Sequence, residues 1–335
     1  MSDSDTSMTT YEGLGPEAVL SAVDGEGFQC DGRLLEMNSF ENRVYQLGTE
    51  DGGMLIAKFY RPGRWSDAAI LEEHAFALDL ASQDIDLVAP LADSAGATLR
   101  AFGPYRFALF ERRGGRSPAF EDVEQLRQLG RFIGRLHAIG KKERYQHRPT
   151  LDVTTFGSDC AGFLLGHDFI PSELIPAYES LTQDLIKRVA WCYERCPDLK
   201  LIRTHGDCHR GNILWTEKGP HMVDLDDSRM APAVQDLWMF LSGEREDCEQ
   251  TLHVLLEGYT LFMDFDPVEL NLIEALRTLR LMHYFAWIAR RWSDPAFPRA
   301  FPWFNTSRSW EQHILDLREQ AALMDEPPLT WQAVR

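Results

Sequence analysis

Ile202-Arg-Thr-His-Gly-Asp-Cys-His-Arg-Gly-Asn-Ile-Leu-Trp215, followed by Met222-Val-Asp-Leu-Asp-Asp227, decides how this chain is read. The two segments set a carboxylate at Asp207, an amide at Asn212 and a second carboxylate at Asp224, five and then twelve residues apart. Apolar neighbours would hold each polar group on a rigid frame. Hard oxygen donors of this kind bind Mg²⁺, and Mg²⁺ beside a free aspartate is the equipment of phosphoryl transfer. His205-Gly206 and Gly211-Asn212 allow a tight loop around Asp207, and Ile213-Leu214-Trp215 then enters a strand. Asp207 is therefore the candidate base or aligner for an attacking hydroxyl. Asn212 offers a neutral oxygen to the metal. Asp224, at the end of a second strand, His221 to Val223, would bridge metal and phosphates. A polar hairpin could supply Asp-x-x-x-x-Asn alone, but the whole string with its downstream Val-Asp-x-Asp-Asp is far more specific.

Working outward, the 335 residues suffice for one large or two medium domains with sizeable cores. Hydrophobic content of 44% and charged content of 26% are those of an ordinary soluble protein. A net charge of −18 argues against a nucleic-acid partner held by a general electrostatic footprint. No apolar run of membrane-spanning length occurs. Met1 to Thr10 is rich in Ser, Thr and Asp and has no basic region or apolar core, so residues 1–13 are expected to form a flexible tail and not a signal peptide. The six cysteines lack Cys-x-x-Cys spacing, which makes reduced thiols and a cytoplasmic location the default.

Residues 14–112 read as mixed strands with helices. A short helix is expected over Pro16–Val23, strands over Val44–Leu47 and Met54–Tyr60, and a helix over Asp67–Ala81. Strands near Thr98–Phe102 and Tyr105–Phe110 follow. Glu111 to Pro118 breaks the pattern as a linker. Beyond it, residues 113–335 turn largely helical, with helices predicted at Val123–Ile139, Ser172–Tyr193, Gln235–Gly243, Cys248–Phe262, Pro267–Arg291 and Trp310–Met324. The expected fold class is thus α+β, a strand-rich N-terminal lobe and a helical C-terminal lobe with a ligand cleft at their junction.

The His-Gly-Asp-x-x-x-x-Asn string with its Val-Asp-x-Asp-Asp run resembles the catalytic loop of kinase-like phosphotransferases: aminoglycoside phosphotransferases, choline kinases and type II homoserine kinases. The resemblance implies ATP, Mg²⁺ and a two-lobed protein-kinase-like fold. It makes Asp207 the catalytic base, Asn212 a metal ligand, and Asp224 the principal metal ligand and second catalytic carboxylate, with Asp226 as its neighbour. Arg210 stands where a small residue is often found, so it contacts phosphate or simply solvent. Lys58, in Ile56-Ala57-Lys58-Phe59-Tyr60, matches the strand-borne lysine for the α- and β-phosphates. Its ion-pair partner should lie about fifteen residues on, at Glu73 or, failing that, Glu72. No glycine-rich loop precedes Lys58. In its place, between two strands, Asn38 and Ser39 could present N–H groups and a hydroxyl to phosphate, and Phe40 could shield them from water.

Leu35 to Tyr45, Lys58-Phe-Tyr-Arg-Pro62, Ile70 to Phe76 and Val234 to Phe240 carry a closer likeness, spanning about residues 14 to 325. They resemble a bacterial group within this superfamily: cytoplasmic serine/threonine protein kinases of the Cpx envelope-stress response. That implies a protein acceptor bearing a Ser or Thr hydroxyl, no nucleic-acid or membrane partner, a monomer, Ser39 at the ATP site, and Asp236 as a structural aspartate that steadies the catalytic loop. Only seven residues separate Asp227 from Gln235, too few for a long activation loop. The aromatic stretch Tyr284 to Trp310 reads as core packing, or else as an amine-stacking box or the lining of an acceptor cleft. Two alternatives share the ATP-site residues: a kinase of a small amino alcohol, homoserine or sugar, and a non-catalytic nucleotide-binding scaffold.

Overall fold

A computed structural model describes residues 11–120 and 122–332. Among the described residues two compact units emerge, one within 11–116 with 214–226 and one within 117–213 with 227–332. The expected boundary at 112/113 assigned 214–226 to the helical part. Backbone pairing draws that segment into the first unit. Trp215 exchanges hydrogen bonds with Arg116 (2.7 and 3.0 Å), and Met222 pairs in parallel with Leu87.

The first unit is built on an antiparallel sheet in the order β1-β2-β3-β5-β4. Its strands are β1 (Cys30–Glu36), β2 (Arg43–Thr49), β3 (Met54–Phe59), β4 (Arg100–Phe102) and β5 (Tyr105–Glu111). Alternation along β2, β3 and β5 sends Tyr45, Leu47, Leu55, Ala57, Phe59, Phe107 and Leu109 to one face. There they pack with Val19 and Val23 of α1 (Pro16–Asp24). Tyr11 stacks on Tyr105 and donates to the Glu41 carbonyl at 3.0 Å. Tyr11 thus belongs to the packed sheet although it falls within the expected tail; residues 1–10 of that tail lie outside the described ones. Strand β1 is the strand expected before Asn38; its bounds had no sequence signal because it is mostly exposed and without clear alternation.

On the opposite face, α2 (Asp67–Ser82) starts where the Ser66 hydroxyl accepts from Ala69 N–H at 3.2 Å. Its Ile70 packs with Tyr60 and Ala108. His74 fixes the helix in place: its ring nitrogens meet Tyr60 Oη at 2.7 Å and Thr98 Oγ1 at 2.8 Å, all three side chains being buried.

The second unit is mainly helical, as expected. It holds α3 (Val123–Gly140), α4 (Asp159–Leu165), α5 (Ile175–Glu194), α6 (Arg245–Tyr259), α7 (Ile273–Ala289), α8 (Ala296–Ala300) and α9 (Ser307–Leu323). Helices α3 and α6 approach so closely that a Cβ on Gly130 or Gly134 would collide with the carbonyls of Leu255 or Tyr259. A short pair, β6 (Ile202–Thr204) with β9 (Arg229–Ala231), runs through the interior. Strands β7 (Ile213–Thr216) and β8 (Gly219–Met222) form a separate two-stranded ribbon.

Three helix expectations need correction. Gln235–Gly243 is not a helix but two single 3₁₀ turns, Ala233–Asp236 and Trp238–Phe240. The side chains of Gln235 and Asp236 are committed to backbone groups of another segment, which fixes local geometry more strongly than apolar spacing does. Ser172–Tyr193 begins only at Ile175, with Pro176 in the first turn. Pro267–Arg291 divides into a 3₁₀ segment, Pro267–Leu272, and α7. Much of the Tyr284–Trp310 aromatic stretch is core: Phe285, Phe297, Phe301, Phe304 and Trp310 are buried, Trp287 and Trp292 are half-buried, and Tyr284 and Trp303 are exposed.

Candidate active site

In the first unit the chemistry gathers on Lys58. Antiparallel pairing sets it between Val44 and Ala108 in the middle of the sheet. Its Nζ lies 2.9 Å from Asp224 Oδ1, 3.2 Å from Asp226 Oδ1 and 3.9 Å from Glu73 Oε1. Burial by itself would favour the neutral amine, but the carboxylates of Asp224, Asp226 and Glu73 overrule it and hold Lys58 charged, well above an ordinary lysine. Glu73, not Glu72, occupies the paired position, because Glu73 shares the buried face of α2 with Ile70, Ala77 and Leu80.

Asp226 is buried and also pairs with Arg64, so it is shared between two cations. Asp224 differs. Its side chain is 53% exposed, and its backbone sits at φ +62°, a left-handed turn that aspartate tolerates better than most residues. Oδ1 takes Lys58 and the Asp226 N–H, while Oδ2 meets no donor among the described residues. A rigidly held, half-exposed carboxylate with one open oxygen is a fitting hard-cation ligand. Asn38, Ser39 and Phe40 lie in the bend between β1 and β2, Asn38 and Phe40 exposed and Ser39 half-buried. Arg61 ties that bend down through the Phe40 and Glu41 carbonyls, at 3.1 and 3.0 Å.

In the second unit the chemistry gathers on Asp207, just beyond β6. Asp236, fully buried, accepts the N–H groups of His205 (2.6 Å, Oδ2) and Gly206 (2.9 Å, Oδ1). Its Oδ2 also meets His137 Nε2 at 3.0 Å, and His137 Nδ1 meets Tyr259 Oη at 3.0 Å. The tautomer with the proton on Nε2 satisfies both neighbours. Gly206 turns the chain at φ +83°, and a Cβ there would strike the Asp227 carbonyl. The His205 ring then accepts Asp207 N–H at 3.3 Å, and Asn212 Nδ2 donates to the Asp207 carbonyl at 3.0 Å, leaving Asn212 Oδ1 as an available neutral oxygen.

The carboxylate so placed is mostly buried. Its Oδ1 takes Arg280 of α7 at 2.5 Å and its Oδ2 lies 3.3 Å from His209 Nε2. Burial works to raise the Asp207 carboxyl, but the His209 hydrogen bond and the Arg280 guanidinium outweigh it and hold the group well below the usual carboxylate range. Arg280 had no place in the sequence reading, since nothing local distinguishes it from other surface arginines of an amphipathic helix. Arg210 turns away, onto Ser117 Oγ at 3.2 Å and the Phe120 ring.

A second layer supports Asp236. Glu269, on the 3₁₀ segment before α7, accepts Val234 N–H at 2.9 Å. Burial raises its carboxyl from the ordinary glutamate value of 4.5 to about 7, against the pull of the Val234 and Ala233 N–H groups. Between those values the folded state binds a proton that the unfolded chain has released. The contribution is therefore whole below about pH 4.5 and is lost as pH rises through 7. Glu269→Gln keeps an oxygen for Val234 and should remove that loss. Urea unfolding at roughly pH 5 and pH 8 should show wild type losing on the order of 2–3 kcal/mol relative to the variant. Parallel behaviour of the two proteins would contradict it.

Comparison with known proteins identifies the family. The phosphotransferase enzyme family model matches residues 34–273. Stress response kinase A of Escherichia coli strain K12 is 41% identical over 320 residues, 96% of either chain. The serine/threonine protein kinase RdoA of Salmonella typhimurium strain LT2 matches equally, at 41% over 96% of each. Among solved structures, an amicoumacin kinase in complex with AMP-PNP, Ca²⁺ and Ami superposes with a TM-score of 0.71 at 18% identity, over 94% of both chains. That likeness carries the fold: a kinase-like one, with an antiparallel N-terminal sheet and a helical remainder. The chain belongs to the phosphotransferase enzyme family, as a homologue of stress response kinase A.

Proposed function

We propose that this phosphotransferase is an ATP- and Mg²⁺-dependent serine/threonine protein kinase acting in the stress response, as the names of its relatives suggest. The observation that carries the chemistry is the grip of Asp224, Asp226 and Glu73 on a buried Lys58, with Asp207 held separately as a carboxylate on its own loop. Lys58, steadied by Glu73, would orient the α- and β-phosphates. Asn38 and Ser39 would face the phosphates and Phe40 would cover them. Asp224 and Asn212 offer the oxygen donors Mg²⁺ prefers; two protein ligands suffice where phosphates and waters complete its shell. Bound there, the cation would neutralise charge on the β- and γ-phosphate oxygens.

In the transfer itself, the acceptor oxygen forms a bond to the γ-phosphorus as the bridging P–O bond breaks, and ADP leaves with the electron pair. The acceptor proton passes to Asp207. A carboxylate as acidic as Asp207 is a weak base in the ground state. That suits a loose transition state, in which alignment of the hydroxyl precedes loss of its proton. The protein is proposed to act as a cytoplasmic monomer; no helix among the described residues is long and apolar enough to cross a membrane.

A small-molecule kinase is the second reading, favoured by the amicoumacin kinase likeness. Both would share the nucleotide-binding residues. Purified protein incubated with γ-labelled ATP and a dephosphorylated bacterial extract separates them. Label in protein bands, stable to acid as Ser or Thr esters are, is the expected result. Label confined to small metabolites would transfer the assignment to the rival.

A further inference from the structure

Among the described residues Arg280 is the one guanidinium placed on the Asp207 carboxylate, and it is not alone on its helix face. Steps of four, three and four residues line up Arg280, Tyr284, Trp287 and Arg291 along α7 and its continuing turn. Tyr284 stacks on Trp287, with centroids 5.9 Å apart and planes 14° from parallel, and Arg291 lies 5.3 Å from the Trp287 ring. Tyr284 is 38% exposed, and the Arg280 side chain 45%. A cationic and aromatic strip thus leads directly from Asp207 along the surface of its own unit, in a chain whose net charge is −18.

Asp207 Oδ1 is the only acceptor Arg280 has among the described residues. An acceptor hydroxyl approaching Asp207 meets that guanidinium first, and a cation beside the acceptor would be repelled by it. An anion would be drawn to it, and a half-exposed guanidinium can swing between two carboxylates at little cost.

We propose that Arg280 is the acceptor-side specificity residue: it covers Asp207 while no acceptor is bound and passes its ion pair to a carboxylate or phosphate flanking the acceptor hydroxyl. Its contact with Asp207 sets the range. At about 3.5 Å per extended residue, the anion belongs one or two positions from the acceptor Ser or Thr. Tyr284 and Trp287 would underlie the residues beyond. The substrate class is therefore an acidic or already phosphorylated polypeptide segment, whose own charge uncovers Asp207. The inference rests on the phosphoryl-transfer reading above.

Serine peptides identical except for Glu, Ala or Lys at the two positions on either side of the serine test it, with KM and kcat measured separately. Wild type should favour the Glu peptide by about tenfold or more in kcat/KM, mostly through KM, as one charged contact gives. Arg280→Glu should reverse the order in favour of the Lys peptide, and Arg280→Lys should keep the acidic preference in weakened form. Indifference of wild type to flanking charge, or an unchanged order in Arg280→Glu, would overturn the proposal. If no peptide accepts phosphate but small hydroxyl compounds do, the protein-acceptor reading falls. The inference is then judged on those compounds: glycerate should outrun aminopropanol, and the reverse order overturns it. Transfer to none of these acceptors overturns both.

Discussion

Asp207→Asn should lower kcat for phosphoryl transfer by about a thousandfold, within the range that loss of a positioned base produces. The substitution keeps shape and removes charge. The Asn212 and His205 contacts of the loop run through the Asp207 backbone, so they survive the change. Nucleotide affinity should stay within about threefold, because Asp207 is assigned no phosphate contact. The Arg280 ion pair and the His209 contact are lost together. Arg280 is half exposed and can turn to solvent, but Asp207 is mostly buried and the fold favours its charged form, so the substitution should also cost on the order of 1–3 kcal/mol of stability at neutral pH. Steady-state kinetics beside calorimetric ATP binding checks each part. A variant with weakened ATP binding but near-normal kcat would assign Asp207 to the nucleotide instead.

Asp236→Ala should show the largest effect on folding, a loss of about 3–5 kcal/mol. Asp236 is fully buried, and its two oxygens satisfy the His205 and Gly206 N–H groups and the His137 ring together. Removing them strands three buried donors and cuts the link from α3 to the catalytic loop. Asp236→Asn should be milder, since its amide oxygen can still serve one N–H while its NH₂ confronts another donor. Activity should fall in both variants together with stability, and more steeply on warming. Urea unfolding of the two variants against wild type provides the measurement. A loss under 1 kcal/mol in Asp236→Ala would show that the loop N–H groups have found other partners.

The parts of the candidate site stand out in the sequence because they are local strings. Asp207 and Asn212 share one short loop, Asp224 follows on the next ribbon, and Lys58 sits at the kind of strand position that buries an amine among carboxylates. The preference for Glu73 over Glu72 has a physical basis in the phase of α2: Ile70, Ala77 and Leu80 fix which side of the helix is buried, and Glu73 shares it. Arg280 was not legible. It reaches Asp207 across 73 residues of sequence, through helix packing that no local pattern encodes. The false helix over Gln235–Gly243 failed for a related reason: its apolar spacing is genuine, but Gln235 and Asp236 are fastened to Gly206 and His205, some thirty residues away. The strands β6 and β9, three residues each, are too short to show a period and form only because each completes the other.

The central claim is transfer of the ATP γ-phosphate to a hydroxyl, and the most direct measurement follows that phosphate. Wild-type protein with Mg²⁺, γ-labelled ATP and a mixture of dephosphorylated proteins should yield ADP and acid-stable phosphoester in equal amounts. Lys58→Met, which removes the proposed phosphate contact, should yield neither. Release of the label as inorganic phosphate without phosphoester, or equal transfer by Lys58→Met, would contradict the account.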